Sequence, residues 1–330
     1  MFQTKKPPKK INLIRLIQHL HNPYKKVYCK FAPLKNTRLL VHLALFTVAL
    51  LYGATFTIAK EIMPFWLRSE AFVAMRIIIS GLIFLIIQLA FIRQKITDRA
   101  DLKLVFICTL FGALFNMLLF FKGLSYTQRI NGAVLMMFTP IFTALMAGIL
   151  LKEKFSFLRI SGLAIATMGG IFFIGGYKLN FSTQTVWGDL MVTANAILYS
   201  IYLVKVKSLM RKYNPLTVST YTFAMGSVMV LPFGFQQLTT TSFSQFPLSI
   251  WLGITFVIVG TTFLTYLLNA WALVHASPSL VGSYIYLQPV LATLIAVSAG
   301  KEMLTLEKVI FAVFIFTGVY LVNQSRKNHA

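Results

Sequence analysis

The sequence predicts an all-α membrane protein with ten transmembrane helices, arranged as two inverted five-helix repeats. Three observations lead to this prediction. The chain is 57% hydrophobic and only 12% charged, which is too apolar for a soluble domain of 330 residues. It contains ten apolar runs long enough to cross a bilayer, which takes about 20 residues of helix. A block of its first half also recurs in its second half.

The ten apolar runs are continuous, whereas the strands of a membrane β-barrel would alternate apolar and polar residues over about ten positions. Each run is therefore predicted to be a helix. The runs cover residues 39–59, 71–92, 102–121, 131–151, 158–177, 187–206, 217–235, 250–270, 279–299 and 306–323.

The recurring block is a helical hairpin. It runs from Gly123 to Gly170 and returns, shifted by 149 positions, from Ala272 to Val319. Both copies have an apolar run broken by proline, a short charged turn and a second apolar run, which is typical of a duplicated hairpin. The residues aligned without a gap include Pro140 with Pro289, Lys152-Glu153 with Lys301-Glu302, and Gly169 with Gly318.

The repeat extends backwards to the first helix of each half. Gly112 in the third helix, for example, meets Gly260 in the eighth only one residue out of register. The two halves are predicted to cover residues 39–177 and 184–325. Five helices per half is an odd number, so the halves enter the membrane in opposite orientations, as in many secondary transporters.

A basic tail, residues 1–38, precedes the first helix. It contains ten Lys or Arg and no Asp or Glu. Within it, residues 11–20 place their apolar side chains on one helical face, so they can lie on the inner leaflet against anionic lipid headgroups. We expect no nucleic-acid partner, because no folded binding module accompanies the charge. A homodimer is an arrangement that the sequence leaves open.

The distribution of basic residues predicts the orientation. With the N-terminus inside, 23 Lys and Arg lie on the cytoplasmic side and seven on the opposite side, with Arg76 left within the bilayer. Cytoplasmic loops carry the excess of Lys and Arg, so both termini are predicted to be cytoplasmic. The net charge of +23 therefore reflects topology more than ligand chemistry.

Enzyme and cofactor signatures are absent from the sequence. There is no phosphate-binding glycine loop, no His-Glu-x-x-His and no nucleophile elbow. Cys29 and Cys108 lie in unlike places, without the spacing of a metal site or a disulfide framework. We therefore expect no enzyme activity, no cofactor and no metal.

The second half contains a long segment without charge. From Tyr213 to Gly300 there are 88 residues without Asp, Glu, Lys or Arg, and only His275 could titrate near neutral pH. No carboxylate of the chain is predicted to lie in the middle of a helix, so a buried acid that carries protons is not evident. Transport by exchange or by facilitated diffusion is therefore predicted.

The substrate site is predicted near the membrane midplane, where corresponding helices of the two halves face each other. Hydroxyls, amides and aromatic rings there suit a zwitterionic or weakly polar metabolite. The predicted substrate-binding residues are Tyr52, Asn116, Tyr199, Tyr202, Asn269, Tyr284 and Gln288. Each of them, on the alternative interpretation, only joins neighbouring helices. Further polar residues of the spans are Thr55, Thr139, Asn195, Tyr221 and Tyr286.

Arg76 is the one charge within a predicted span. It lies about 7 Å into the second helix by helical rise, so one interpretation is that it snorkels to the headgroups or pairs with Glu70. Asn116→Ala and Tyr199→Phe are then expected to reduce transport more than Arg76→Gln. The alternative is an anchor for a substrate carboxylate or phosphate, with Lys122 as a second contact, which makes the protein a carrier of anionic metabolites.

At these residues the chain resembles a known family. The stretch YGATFTIAK at 52–60, the arginine of the second helix, and the hairpin with its echo QPVLATLIAVSAGKE are similar to the EamA-type branch of the drug/metabolite transporter superfamily. The resemblance covers about residues 39–325. It departs at Lys301-Glu302, where Gly-Glu is usual, and in the 38-residue tail.

The resemblance implies a ten-helix carrier of the bacterial inner membrane, often an exporter of amino acids or other metabolites. It transfers no substrate-binding residue, because no motif of the family fixes one. Two function classes stay open: a carrier that moves small organic metabolites by alternating access, and a membrane scaffold or enzyme that uses the same helices for lipid modification.

Overall fold

The computed structural model of the chain describes residues 37–63, 65–153, 155–179, 182–183, 185–298, 300, 303 and 305–324. Every regular element within these residues is helical, as predicted. Residues 1–36, which include the predicted surface helix at 11–20 and Cys29, lie outside the described residues. The Lys301-Glu302 turn and the basic residues after 324 also lie outside them.

Ten spans make up the described fold. Nine of them are long and apolar enough to cross a membrane alone. The tenth is a bent pair of helices, Pro215–Met229 and Leu231–Thr239. The ten predicted apolar runs are therefore confirmed as helices. The spans are α1 (Thr37–Ile62), α2 (Ser69–Ile92), α3 (Arg99–Tyr126), α4 (Arg129–Met136 and Thr139–Leu151), α5 (Phe157–Ile174), α6 (Val186–Met210), α7 (Pro215–Met229 and Leu231–Thr239), α8 (Leu248–His275), α9 (Pro278–Ser298) and α10 (Leu306–Gln324).

The seventh span differs from the prediction of one continuous helix over 217–235. Its two helices meet at an angle of 64°. Pro232 lies in the first turn of the second helix. A proline ring clashes with the carbonyl four residues earlier, here that of Val228, and removes a backbone donor. The apolar run therefore continues through this proline, while the helix bends.

Repeat-related breaks occur in α4 and α9. The helix of α4 is interrupted at residues 137–138, just before Pro140, and α9 contains a 3-10 turn, Tyr284–Tyr286, just before Pro289. Each proline excludes the regular α-helical hydrogen bond at its own position, so the helix restarts there. The two halves thus place a discontinuity at the same point of the fourth and ninth spans, as the aligned prolines predict.

A second repeat-related feature lies in α3 and α8. Both contain π-helical turns, Leu110–Leu114 in α3 and Phe256–Leu264 in α8. These segments contain Gly112 and Gly260, the glycines that the sequence alignment pairs. A π turn widens the helix and disturbs the regular ladder of backbone hydrogen bonds, and such turns are frequent at functional sites. The structure is therefore two five-helix repeats in detail as well as in helix count.

The last helices of the two halves, α5 and α10, pack through small residues. A Cβ atom added to Gly318 would lie 2.5 Å from both the Gly162 oxygen and the Ala166 nitrogen. Only a glycine allows the two backbones to come this close, which is the usual way in which membrane helices gain contact.

Polar side chains hold the end of the bundle at which α3 begins. Lys212 pairs with Asp101 at 2.8 Å, and the Tyr213 hydroxyl donates to the same carboxylate at 2.9 Å. Arg159 donates to Glu153 at 3.0 Å and also to the Ser279 hydroxyl. These contacts tie α3 to the α6–α7 connection, and the α4–α5 turn to the start of α9.

The Lys152-Glu153 pair marks the α4–α5 hairpin turn, as predicted. Lys152 follows the last helical residue of α4 and has φ 55°, the left-handed conformation that ends many helices. Glu153 then pairs with Arg159 of α5. The pair thus terminates one helix and holds the start of the next.

Candidate functional site

A cavity of about 90 Å³ lies between the two halves. Helices of both repeats line this central cavity: α1, α2, α3 and α4 from the first, α6, α8 and α9 from the second. Its lining residues are Tyr52, Thr55, Ala59, Arg76, Asn116, Met117, Phe120, Phe121, Leu124, Met136, Asn195, Tyr199, Tyr266, Ile285 and Gln288.

Four of the seven residues predicted to bind substrate line the central cavity, together with Arg76, the alternative anchor. They come from five different helices: Tyr52, Arg76, Asn116, Tyr199 and Gln288. The structure therefore brings them together around one space. Their contact with a substrate stays a prediction.

The other three predicted residues lie outside the cavity wall. Asn269 donates to the hydroxyl of Tyr199, a lining residue, at 3.4 Å. Tyr202 is buried, with its ring against Gly112. The Tyr284 hydroxyl is hydrogen-bonded to Nδ1 of His42, at 2.5 Å.

Tyr266 and Asn195 line the cavity although neither is in the predicted set. The Tyr266 hydroxyl donates to the Gly112 carbonyl, in the π turn of α3. Asn195 donates through Nδ2 to the carbonyl of Asn116 at 2.7 Å. The helical period is the signal that could have found them, because Tyr266 is three residues before Asn269 and Asn195 four before Tyr199.

Arg76 faces the interior of the protein, so the expectation that it snorkels or pairs with Glu70 is wrong. Its side chain is only 3% exposed. Nε donates to Oγ1 of Thr262 at 2.9 Å, and the guanidinium carbon lies 4.6 Å from the centre of the Phe121 ring. Glu70 instead pairs with Lys122 at 3.1 Å.

The guanidinium of Arg76 is not fully satisfied. Its Nη1 is buried and has no hydrogen-bond partner among the described residues. An unpaired buried donor costs about 1–3 kcal/mol, and a charged one costs more. The cation–π contact and the bond to Thr262 offset part of this cost.

Arg76 is the only charged residue among those that line the cavity. The described acids that are buried, Asp101 and Asp189, lie near the starts of α3 and α6 and have their own partners. His275 is exposed at the end of α8. The described residues also contain no group of three or more His, Cys, Asp or Glu that could hold a metal. The cavity therefore carries one positive charge surrounded by neutral polar groups.

A second space of about 410 Å³, here called the outer recess, adjoins the central cavity. Phe121 and Leu124 line both spaces, so their side chains stand between them. The recess lies where α1 joins α2 and where α3 ends, opposite to the end that Asp101 and Arg159 hold. Its other lining residues are Met63, Arg68, Ser69, Glu70, Lys122, Ser125, Tyr126 and Thr127.

Comparison with known proteins agrees with this architecture. The chain is 27% identical over 285 residues to the uncharacterized transporter YyaM of Bacillus subtilis (strain 168), a match of 84% of this chain and 92% of that protein. It is 26% identical over 133 residues to a probable terminal-alkyne amino-acid exporter of Streptantibioticus cattleyicolor, which covers 40% of this chain and 43% of that protein.

A solved crystal structure has the same fold. It superposes with a TM-score of 0.70 at 20% sequence identity and covers 86% of this chain and 97% of the solved one. The model of the EamA-like transporter family matches twice, at residues 39–175 and 186–324, which together are most of the sequence. The chain therefore belongs to the EamA-like transporter family.

Proposed function

We propose that this protein exports small amino-acid-like metabolites across the bacterial inner membrane by alternating access. The observation that supports this most is the central cavity, which surrounds one buried guanidinium with amides and phenols from both repeats. A substrate carboxylate would pair with Arg76, and the neutral polar groups would bind its other end. A relative that bears the name of an amino-acid exporter supports the direction and the substrate class.

The closed and open ends of the bundle support alternating access. The ion pairs of Asp101 and Arg159 join helices at the end predicted to be cytoplasmic. The outer recess lies at the opposite end, behind Phe121 and Leu124. We assign this conformation to an outward-facing carrier, in which those two side chains must move for substrate to pass. The inward-facing state would require the Lys212–Asp101 ion pair and the hydrogen bond from Arg159 to Ser279 to open.

A carrier of anionic metabolites is the second candidate function. It is favoured by one observation: Arg76 has no counter-charge among the residues that line the cavity. A fully anionic substrate would neutralise this charge without needing a site for an amine. The two candidates differ in the ionic state of the substrate, not in the role of Arg76.

A counterflow measurement tests the proposed function. The full chain is reconstituted in liposomes loaded with an unlabelled amino acid mixture, and labelled amino acids are added outside in trace amounts. A carrier gives a transient accumulation of label, because exchange precedes equilibration. A membrane scaffold or a lipid-modifying enzyme gives none, so a flat time course with amino acids and with organic anions would reject transport.

The orientation of the chain can be checked by cysteine labelling. In a background without Cys29 and Cys108, Thr183→Cys and Ser242→Cys are expected to react with an impermeant maleimide in intact cells. Ser208→Cys is expected to react only after permeabilisation, because it lies at the end predicted to be cytoplasmic. Labelling of Ser208→Cys from outside would overturn the proposed orientation.

Transport is expected to be nearly independent of the proton gradient. The reason is that no carboxylate is found among the residues that line the cavity, and His275 lies outside it at the end of α8. An uncoupler, and likewise His275→Ala, should therefore leave the initial rate of exchange in proteoliposomes close to that of the untreated wild type. A large loss of transport with the uncoupler would show that a proton is carried, and a loss in His275→Ala would point to His275 as its carrier.

A further inference from the structure

Two residues that line the central cavity, Arg76 and Asn195, each have a buried polar atom, and the two atoms are of opposite hydrogen-bonding character. Arg76 Nη1 is a charged donor and Asn195 Oδ1 is a neutral acceptor. Both side chains are 3% exposed, and neither atom has a hydrogen-bond partner among the described residues. Buried polar groups are nearly always paired in folded proteins, so two unpaired ones on residues that line the same cavity require an explanation.

The orientation of the Asn195 amide follows from its neighbour. The carbonyl oxygen of Asn116 lies 2.7 Å from Nδ2 of Asn195. A carbonyl can only accept a hydrogen bond, so the nitrogen of the amide must face it. The oxygen Oδ1 is then the atom left without a partner. The atom that Asn195 leaves without a partner is therefore an acceptor.

We propose that these two atoms bind the α-ammonium and α-carboxylate groups of an amino acid. Arg76 Nη1 donates to the carboxylate, and Asn195 Oδ1 accepts from the ammonium. This assignment rests on the proposed transport function and extends it to a residue, Asn195, and to a substrate class. It favours the zwitterion over the anion, because an acid without the amine leaves Asn195 Oδ1 unpaired and an amine without the acid leaves Arg76 unpaired.

Asn195, which is proposed to bind the ammonium group, is neutral, and this affects the charge balance of the complex. Arg76 contributes +1, the substrate carboxylate −1 and the ammonium +1, and the cavity lining adds no carboxylate. The ammonium is therefore bound by dipoles and ring faces, not by an ion pair. A basic amino acid has a second cationic group in its side chain. Nothing in the cavity lining balances that charge, so basic amino acids should bind poorly.

The test uses sets of three compounds that share one side chain: the amino acid, the acid that lacks the amine and the amine that lacks the carboxylate. Alanine, propionate and ethylamine form one set, and leucine, 4-methylpentanoate and 3-methylbutylamine form a larger one. Each is added as a competitor to counterflow of the labelled amino acid with the highest rate. The zwitterion of a set is expected to compete at least about tenfold better than the other two, as one charge-assisted hydrogen bond provides.

A variant of Asn195 tests whether this residue causes the preference for the zwitterion. Asn195→Leu has nearly the same shape but no acceptor, so the amino acid and the acid that lacks the amine should compete equally well. Ser200→Ala is the matched control, because it removes a buried hydroxyl from the same helix outside the cavity lining. This control is expected to keep the tenfold preference of the wild type.

The outcomes separate the inference from the proposed function. Equal competition by alanine and propionate, and by leucine and its acid, in the wild-type carrier would overturn the inference while transport stands. So would a preference for the zwitterion that persists in Asn195→Leu. The wild-type comparison decides even if this variant fails to fold. No counterflow with any amino acid or acid would reject the proposed function, and the inference with it.

Discussion

Arg76→Gln is expected to abolish measurable transport of substrates that carry a carboxylate. In the proposed complex the guanidinium and the carboxylate would form a buried pair, and removing one partner of such a pair costs about 3–5 kcal/mol, roughly a hundredfold or more in affinity. The proposed site therefore places Arg76→Gln ahead of Asn116→Ala and Tyr199→Phe, the reverse of the order expected from the sequence. The measurement is the counterflow rate at low substrate concentration.

The same variant should be as stable as the wild type, or more stable, when no substrate is present. The empty carrier holds Nη1 of Arg76 buried and unpaired among the described residues, which opposes folding. A neutral glutamine removes this cost. Thermal unfolding in detergent should thus show an unchanged or raised midpoint, together with the loss of stabilisation by substrate.

Two further variants serve as controls for this prediction. Arg76→Lys keeps the charge but loses the planar fork, and is expected to retain part of the transport rate. Lys103→Gln removes a positive charge from an exposed position of α3 and should behave as wild type. If Arg76→Gln transported at the wild-type rate, the charge would have no part in binding, and the amide and phenol groups alone would have to form the site.

Gly112→Ala is expected to destabilise the folded carrier by about 1–3 kcal/mol, the usual cost of overpacking. A Cβ atom at this position would lie 2.2 Å from Cδ2 of the Tyr202 ring. The ring cannot move away freely, because it is buried and its neighbours are the rings of Tyr199 and Tyr266, with centres 5.9 Å and 6.2 Å away. The unfolding midpoint and the transport rate should both fall.

Gly260→Ala provides a matched control in the other repeat. It lies in the corresponding π turn of α8, and its added Cβ would lie 3.5 Å from Cδ2 of Leu51 and 3.7 Å from the Phe256 ring, which are ordinary contacts. The gain in helix propensity of about 1 kcal/mol applies to both substitutions, so the difference between them isolates the steric effect. Tyr202→Leu combined with Gly112→Ala should recover part of the stability. Equal midpoints for the two alanine variants would contradict this account.

The course of the chain could be predicted in detail because the bilayer constrains it. A span of the hydrocarbon needs about 20 apolar residues, and backbone groups there must be satisfied within a helix. Composition and run length therefore indicated all ten spans, and the aligned prolines indicated the breaks in α4 and α9. The bend in α7 was missed because Pro232 stands inside an apolar run that passes for one helix.

The candidate site could be predicted only in part. Repeat symmetry and polar residue type selected Tyr52, Asn116, Tyr199 and Gln288, and these do line one cavity. Repeat symmetry and residue type do not show which face of a helix points inward. Tyr202 was therefore included although its ring packs against Gly112. Rotation of a helix about its axis is set by its neighbours, through contacts between residues that are far apart in the sequence.

What the sequence determined by itself was the medium, the number of spans and the relation between the halves. Each of these depends on local composition or on an internal repeat, and both can be read directly from the sequence. What only the tertiary structure decided was the burial of Arg76 and the orientation of the Asn195 amide. The position of Arg76 along its helix is compatible with a side chain that reaches the headgroups or one that faces the interior. Its contacts with Phe121 and Thr262 show that it faces the interior. Asn195 presents an acceptor because a carbonyl on another helix binds its nitrogen.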